Sequence, residues 1–122
     1  MKKKRVILII EILLIFWLLL SFSLIRVEGN SMEDTMYEND LALYLKTDKV
    51  KVGDIIVLDY KGKRLIKRLV GKNGMEFLNS NLEVDEIAVM GDNIDSSFDS
   101  FDKEFGIVYE KDILGKIIKI FH

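Results

Sequence analysis

Two kinds of apolar pattern divide the chain. From Val6 to Ile25 the residues are apolar almost without interruption, and Glu11 is the single charge. A helix of that length rises about 30 Å, the thickness of a bilayer's hydrocarbon core, so the pattern predicts a membrane-spanning anchor. Beyond it the apolar runs are short and bounded by turn residues. Leu41–Leu45, Ile55–Tyr60, Arg64–Val70, Glu76–Leu78, Ile87–Met90, Phe105–Val108 and Ile113–Phe121 read as strands. Lys61-Gly62-Lys63 makes a hairpin loop, Asn79-Ser80-Asn81 a second small hairpin, and Gly91–Lys103 a long polar loop. No stretch outside the first holds a helical amphipathic period over about ten residues. The expected fold is mainly β: a small folded-over antiparallel sheet, or barrel-like domain, with one N-terminal transmembrane helix.

Charge gives this outline a direction. Lys2, Lys3, Lys4 and Arg5 precede the apolar run, and positive residues stay in the cytoplasm. The expectation is a basic cytoplasmic tail over 1–5, an anchor over 6–25 and a domain over 26–122 outside the cytoplasmic membrane, with the lipid bilayer as a partner. A cleaved secretory signal has a shorter apolar core of about 7–15 residues and a small-residue cleavage site. Here no alanine occurs before Ala42, so an uncleaved anchor is expected. Glu11, less than two turns from the basic end, reads as tolerated, by reaching toward the interface or pairing with a neighbouring basic side chain.

Four of the 18 basic residues lie in the tail and one of the 20 acidic residues is Glu11, which leaves 14 basic against 19 acidic residues beyond Ile25. That balance argues against nucleic acid as a partner. The chain has no cysteine, hence no disulfide, thiol nucleophile or thiolate metal site. Its only histidine, His122, is the last residue and is expected to fray, which argues against a Ser-His-Asp triad. Asp92, Asp95, Asp99 and Asp102 crowd one loop, but their order does not follow a calcium-binding EF-hand. No cofactor or metal is expected.

Candidate chemistry begins at Gly29-Asn30-Ser31-Met32, a few residues past the apolar run. Alone, a serine there is most often solvent-facing or a local cap. Its company changes the reading. On the strand Arg64–Val70, Leu65, Lys67 and Leu69 share one face while Ile66, Arg68 and Val70 share the other. A lysine between leucines either snorkels from a sheet edge or is a buried amine. Burial disfavours the ammonium and can bring its pKa from about 10.4 toward 7–8, where the amine is a usable general base. A neutral lysine can take the proton of a serine in the Ser-Lys form of nucleophilic catalysis, without histidine.

Four blocks in order complete the picture: Gly29-x-Ser31-Met32-x-x-Thr35-Met36 with Asp40; Gly53-Asp54-Ile55-Ile56; Lys67-Arg68-Leu69-Val70-Gly71; and Gly91-Asp92-Asn93-x-x-x-Ser97-x-Asp99-Ser100. Together with an N-terminal anchor they resemble the bacterial type I signal peptidases, of which this would be an unusually short member. The resemblance implies a membrane-bound serine endopeptidase that removes N-terminal signal peptides from secreted precursor proteins. It implies Ser31 as nucleophile, Lys67 as general base, Ser97 as the serine that orients the lysine, and Asp99 as a structural carboxylate. Gly91 and Asn93 would shape the loop beside the site. Gly29 and Met32 would lie on the substrate side, with Met32 dipping toward the lipid. The backbone N–H of Ser31 would hold the oxyanion, and the substrate would bind as an added strand.

The chain departs from that pattern at four places. Asp34 stands where proline is expected, Asn39-Asp40 replaces Gly-Asp, Asn73-Gly74-Met75 replaces Pro-Gly-Asp, and Phe101 replaces an arginine that would pair with Asp99. Arg68 is the candidate to supply that missing partner. Two rival readings are a Ser-Lys peptidase dedicated to one pilin-like or peptide precursor, and a non-catalytic membrane-anchored β module.

Overall fold

The long apolar run is divided between a helix and a strand. In the computed structural model, which describes residues 1–122, α1 spans Lys2–Ser21, and the chain leaves it at Phe22 with extended φ −123° and ψ 152°. Phe22–Arg26 form β1, antiparallel to β2 at Leu41–Leu45, with Phe22 opposite Leu45 and Arg26 opposite Leu41. The sheet thus takes Phe22–Ile25 from the predicted anchor. Basic residues fill the first turn of α1, and Val6–Ser21 rises only about 24 Å against the ~30 Å of a hydrocarbon core. No helix is long and apolar enough to cross a membrane. This corrects the transmembrane helix expected over 6–25, the single-pass placement built on it, and the lipid bilayer as a partner.

The remaining strands are β3 (Ile55–Tyr60), β4 (Lys63–Gly71), β5 (Glu76–Phe77), β6 (Ser80–Asn81), β7 (Glu86–Met90), β8 (Val108–Tyr109) and β9 (Ile113–Phe121). Seven strands form one sheet in the order β1-β2-β9-β3-β4-β7-β8, and β5 and β6 pair by themselves. Every pairing is antiparallel. The sheet folds over on itself: Ile25 of β1 and Ile66 of β4 pack in one cluster, although β2, β9 and β3 separate their strands in the hydrogen-bonded order. The mainly-β part of the expectation therefore describes this domain.

Two apolar cores follow from that curvature. One gathers Ile25, Val27, Met32, Met36, Ala42, Tyr44, Val57 and Ile66. The other gathers Val50, Ile56, Leu58, Leu69, Ile87, Val89, Phe105, Val108 and Ile113. β3 serves both, sending Ile56 and Leu58 one way and Val57 the other. This is why Ile55-Ile56-Val57-Leu58 is a continuous apolar run instead of an alternating one.

Two local expectations change. Phe105 is not in a strand; its ring stacks on Tyr60 with centroids 4.3 Å apart, and its carbonyl accepts the Tyr60 hydroxyl at 2.5 Å. His122 does not fray: its Nδ1 lies 2.8 Å from the carboxylate of buried Asp40. The backbone N–H of Tyr37 donates to the same carboxylate and holds its pKa below the ordinary carboxylate value, with a smaller contribution from His122.

Strand β9 can lie close to β2 only because residue 115 has no side chain. A Cβ on Gly115 would run into the carbonyl of Leu45 and the ring of Tyr44. Gly115→Ala should therefore destabilise the domain by about 1–3 kcal/mol. The expected signature is a lower urea midpoint with an unchanged dependence on denaturant.

Candidate active site

The loop bearing Ser31 is tied at both ends. Beyond β1, Val27 N–H donates to Asp40 O at 2.8 Å and Asn39 N–H to Val27 O at 2.9 Å, so the ladder continues past the strand. The chain turns at Gly29 and coils once: the N–H groups of Thr35 and Met36 donate to Met32 O at 3.1 and 2.8 Å. Met32 and Met36 are buried beneath the turn in the first core. Met32 therefore points into protein, which corrects the expectation that it dips toward lipid. Asp34 has φ 81°, a value closed to proline, whose ring holds φ near −65°. The departure from the signal peptidase pattern at this position thus has a backbone cause.

Lys67 lies on the second core's face of β4, opposite Ile56 of β3, and only 4% of it is exposed. Burial lowers the pKa of its amine, against the opposing pull of the Asp99 and Asp102 carboxylates. Lys67 Nζ is 3.1 Å from Ser97 Oγ. Ser97 Oγ in turn donates to Asp99 Oδ2 at 2.5 Å and accepts the N–H of Gly91 at 2.9 Å. Asp99, also 4% exposed, further accepts Gly91 N–H at 3.0 Å and Phe101 N–H at 3.1 Å.

This chain of bonds has a direction. A hydroxyl has one proton, and Ser97 gives its own to Asp99, so Lys67 must donate to Ser97. A neutral amine that donates there still has its lone pair to offer elsewhere. The Lys67 amine bonds Ser97 and not Ser31 in this conformation. Both Ser31 and Lys67 line a single cavity of about 570 Å³ between β1 and β4, together with Gly29 and Met32.

The loop after β7 presses directly on the Ser31 turn. Asn93 N–H donates to Ser31 O at 2.8 Å, and its side-chain amide donates to Asn30 O at 3.0 Å. A Cβ on Gly91 would collide with the Ser31 carbonyl and the Ser97 hydroxyl, so the approach needs glycine. Arg68 does not partner Asp99, which corrects that expectation. Its Nε and Nη2 grip Asp92 at 2.8 and 2.7 Å, and its Nη1 donates to Gly53 O at 2.7 Å. Thr35 Oγ1 donates to the same Asp92 at 2.5 Å. Arg68, with help from Thr35, holds the Asp92 carboxyl below its usual pKa range.

Asp99 is satisfied by two backbone N–H groups and one hydroxyl, so Phe101 can replace an arginine without orphaning it. The Phe101 ring packs edge-on against Phe77 at 5.0 Å. The role of Thr35 as a strut was not readable from the sequence. The first block includes Thr35, but its bond to Asp92 arises only when β4 and the loop after β7 are brought together.

Comparison with known proteins bears on this geometry. The sequence model of the Peptidase S24-like family matches residues 21–96, more than half of the chain, and the chain belongs to that family. It is a serine protease, a hydrolase acting on peptide bonds. No curated protein matches the sequence. The matched stretch takes in Ser31, Lys67, Gly91 and Asn93, and it leaves all of α1 but its last residue outside. The resemblance to membrane-anchored type I signal peptidases is corrected accordingly: the family is Peptidase S24-like, and no helix is long and apolar enough to cross a membrane.

The buried amine makes stability depend on pH in a definite sense. With its folded pKa depressed, the native state binds fewer protons than the unfolded chain between that pKa and about 10.4. Stability attributable to Lys67 therefore rises with pH across that window. Lys67→Met should be more stable than the parent protein at neutral pH, and the difference should shrink as pH approaches about 10. Urea titrations of both proteins across the pH series check this.

Proposed function

We propose that Ser31 and Lys67 form the catalytic dyad of an endopeptidase acting on an extended polypeptide segment. The observation that carries the reading is the buried Lys67 amine, held by Ser97 and Asp99 on the wall of the cavity that Ser31 also lines. Neutral Lys67 takes the proton of the Ser31 hydroxyl as its oxygen attacks the scissile carbonyl. The resulting lysine ammonium gives that proton to the departing amine, and an acyl-enzyme remains on Ser31. Lys67 then deprotonates a water, which attacks the ester; the resulting ammonium returns the proton to the Ser31 oxygen as the ester bond breaks and the new carboxyl end leaves. The Ser31 N–H, which makes no hydrogen bond within the fold, is the donor for the oxyanion. Ser97 and Asp99 position the lysine, Gly91 and Asn93 set the loop, and Arg68 with Asp92 braces Thr35.

Strand geometry supports an extended substrate. β4 pairs with β3 along Lys63–Arg68, but β7 covers its other edge only from Arg68 onward. The edge at Lys63–Lys67 is open where those residues line the cavity. β1, paired only with β2, offers a second open edge on the facing wall. A peptide strand entering there finds backbone partners on both sides.

Ser31→Ala and Lys67→Met should each lower kcat on an unstructured polypeptide panel by at least about 10⁴-fold, with circular dichroism showing the fold retained. Cleavage that persists in either variant rules the dyad out. For the parent protein kcat/KM should rise with pH through one ionisation below the ordinary lysine value of about 10.4, because the deprotonated amine is the active form.

A further inference from the structure

The cavity's charge is opposite in sign to the chain's. The protein has 20 acidic and 18 basic residues, yet Arg26, Lys63, Arg64 and Lys67 line the cleft against one carboxylate, Glu28. Arg26, Lys63 and Arg64 are exposed, and none has a carboxylate within ion-pair distance. Asp59 sits directly opposite Arg64 on β3 but accepts the N–H of Gly62 at 3.1 Å. Arg64 instead reaches across the cleft, with Nη1 3.5 Å from the carbonyl of Leu24 on β1. Arg26 Nη1 donates to Asn39 O at 3.1 Å. Three cations at the mouth of one groove are thus left without counter-charges from the fold.

Their spacing from the chemistry is set by β4. Arg64 and Lys63 lie three and four residues before Lys67 on the same strand, about 10 and 13 Å along it. A peptide strand beside β4 has the same rise, so its third and fourth residues from the scissile bond lie level with them. We propose that this peptidase selects segments with acidic side chains three or four residues from the cleaved bond, with Lys63 and Arg64 as the specificity-determining residues and Arg26 assisting from β1. The proposal rests on the cleft being the substrate groove of the Ser31–Lys67 site.

The test uses one peptide series made from a sequence the enzyme cleaves, with Glu, Gln or Lys at the third and fourth positions on each side of the scissile bond. On one side only, Glu should exceed Lys in kcat/KM by about tenfold at low salt, and the margin should narrow as ionic strength rises. Binding of the same peptides to Ser31→Ala, which holds them uncleaved, should follow the same order. Lys63→Glu combined with Arg64→Glu should invert the preference. The single variants Lys63→Gln and Arg64→Gln should each reduce it, and they keep the test open if the double variant does not fold. Equal values for Glu, Gln and Lys on both sides, or a preference that the substitutions leave intact, overturns the proposal while leaving the dyad standing. Cleavage that survives Ser31→Ala overturns the dyad instead.

Discussion

The arrangement of the candidate site depends on one hydroxyl proton being committed. Ser97 gives it to Asp99, a carboxylate already gripped by the N–H groups of Gly91 and Phe101. With that direction set, the buried amine of Lys67 can only donate to Ser97. The amine is thereby oriented by a neutral hydroxyl, while burial lowers its pKa. Burial alone would disfavour the ammonium but leave the amine free to rotate, and a carboxylate alone would hold it but favour the charged form. The serine between them uncouples the two effects: it transmits the orientation and keeps the negative charge one residue further away.

The fold's contribution is to bring four distant segments to that amine. Folding the sheet over sets β1 against β4, and the two buried methionines seat the Ser31 turn on the resulting core. The loop after β7 then closes on the turn from the other side, where the backbone of Asn93 and the bare backbone of Gly91 touch Ser31 itself. Arg68 is next to Lys67 in sequence but projects to the opposite face, where it ties Asp92 and Thr35 together. Successive residues of one strand thus serve different ends, one bearing the amine and the other fastening the elements around it.

Membership of the Peptidase S24-like family rests on residues 21–96, the stretch that holds both Ser31 and Lys67 of the proposed dyad. It does not rest on α1, whose apolar side chains from Val6 to Leu20 are exposed. The family match and the helix therefore occupy different parts of this chain. Two of the four departures from the signal peptidase pattern fit their surroundings: Asp34 occupies a left-handed backbone position, and at Phe101 the Asp99 carboxylate is satisfied by backbone N–H groups and the Ser97 hydroxyl.

By itself the sequence determined the alternation that puts Lys67 on a leucine-bearing face, the order of the blocks that carry Ser31, Ser97 and Asp99, and the mainly-β class. These are local properties, written in spacings of two residues and in turn residues. What only the tertiary structure decided was where long-range pairing wins over local pattern. Phe22–Ile25 continue an apolar run that reads as helix, yet β2 offers them a strand to pair with. Arg68 was free on paper to meet Asp99, yet the folded chain presents Asp92 to it in a two-pronged grip. His122 looked loose as a terminal residue until Asp40 came within reach from the far side of the chain. Each outcome turns on a partner remote in sequence, and no local pattern names a remote partner.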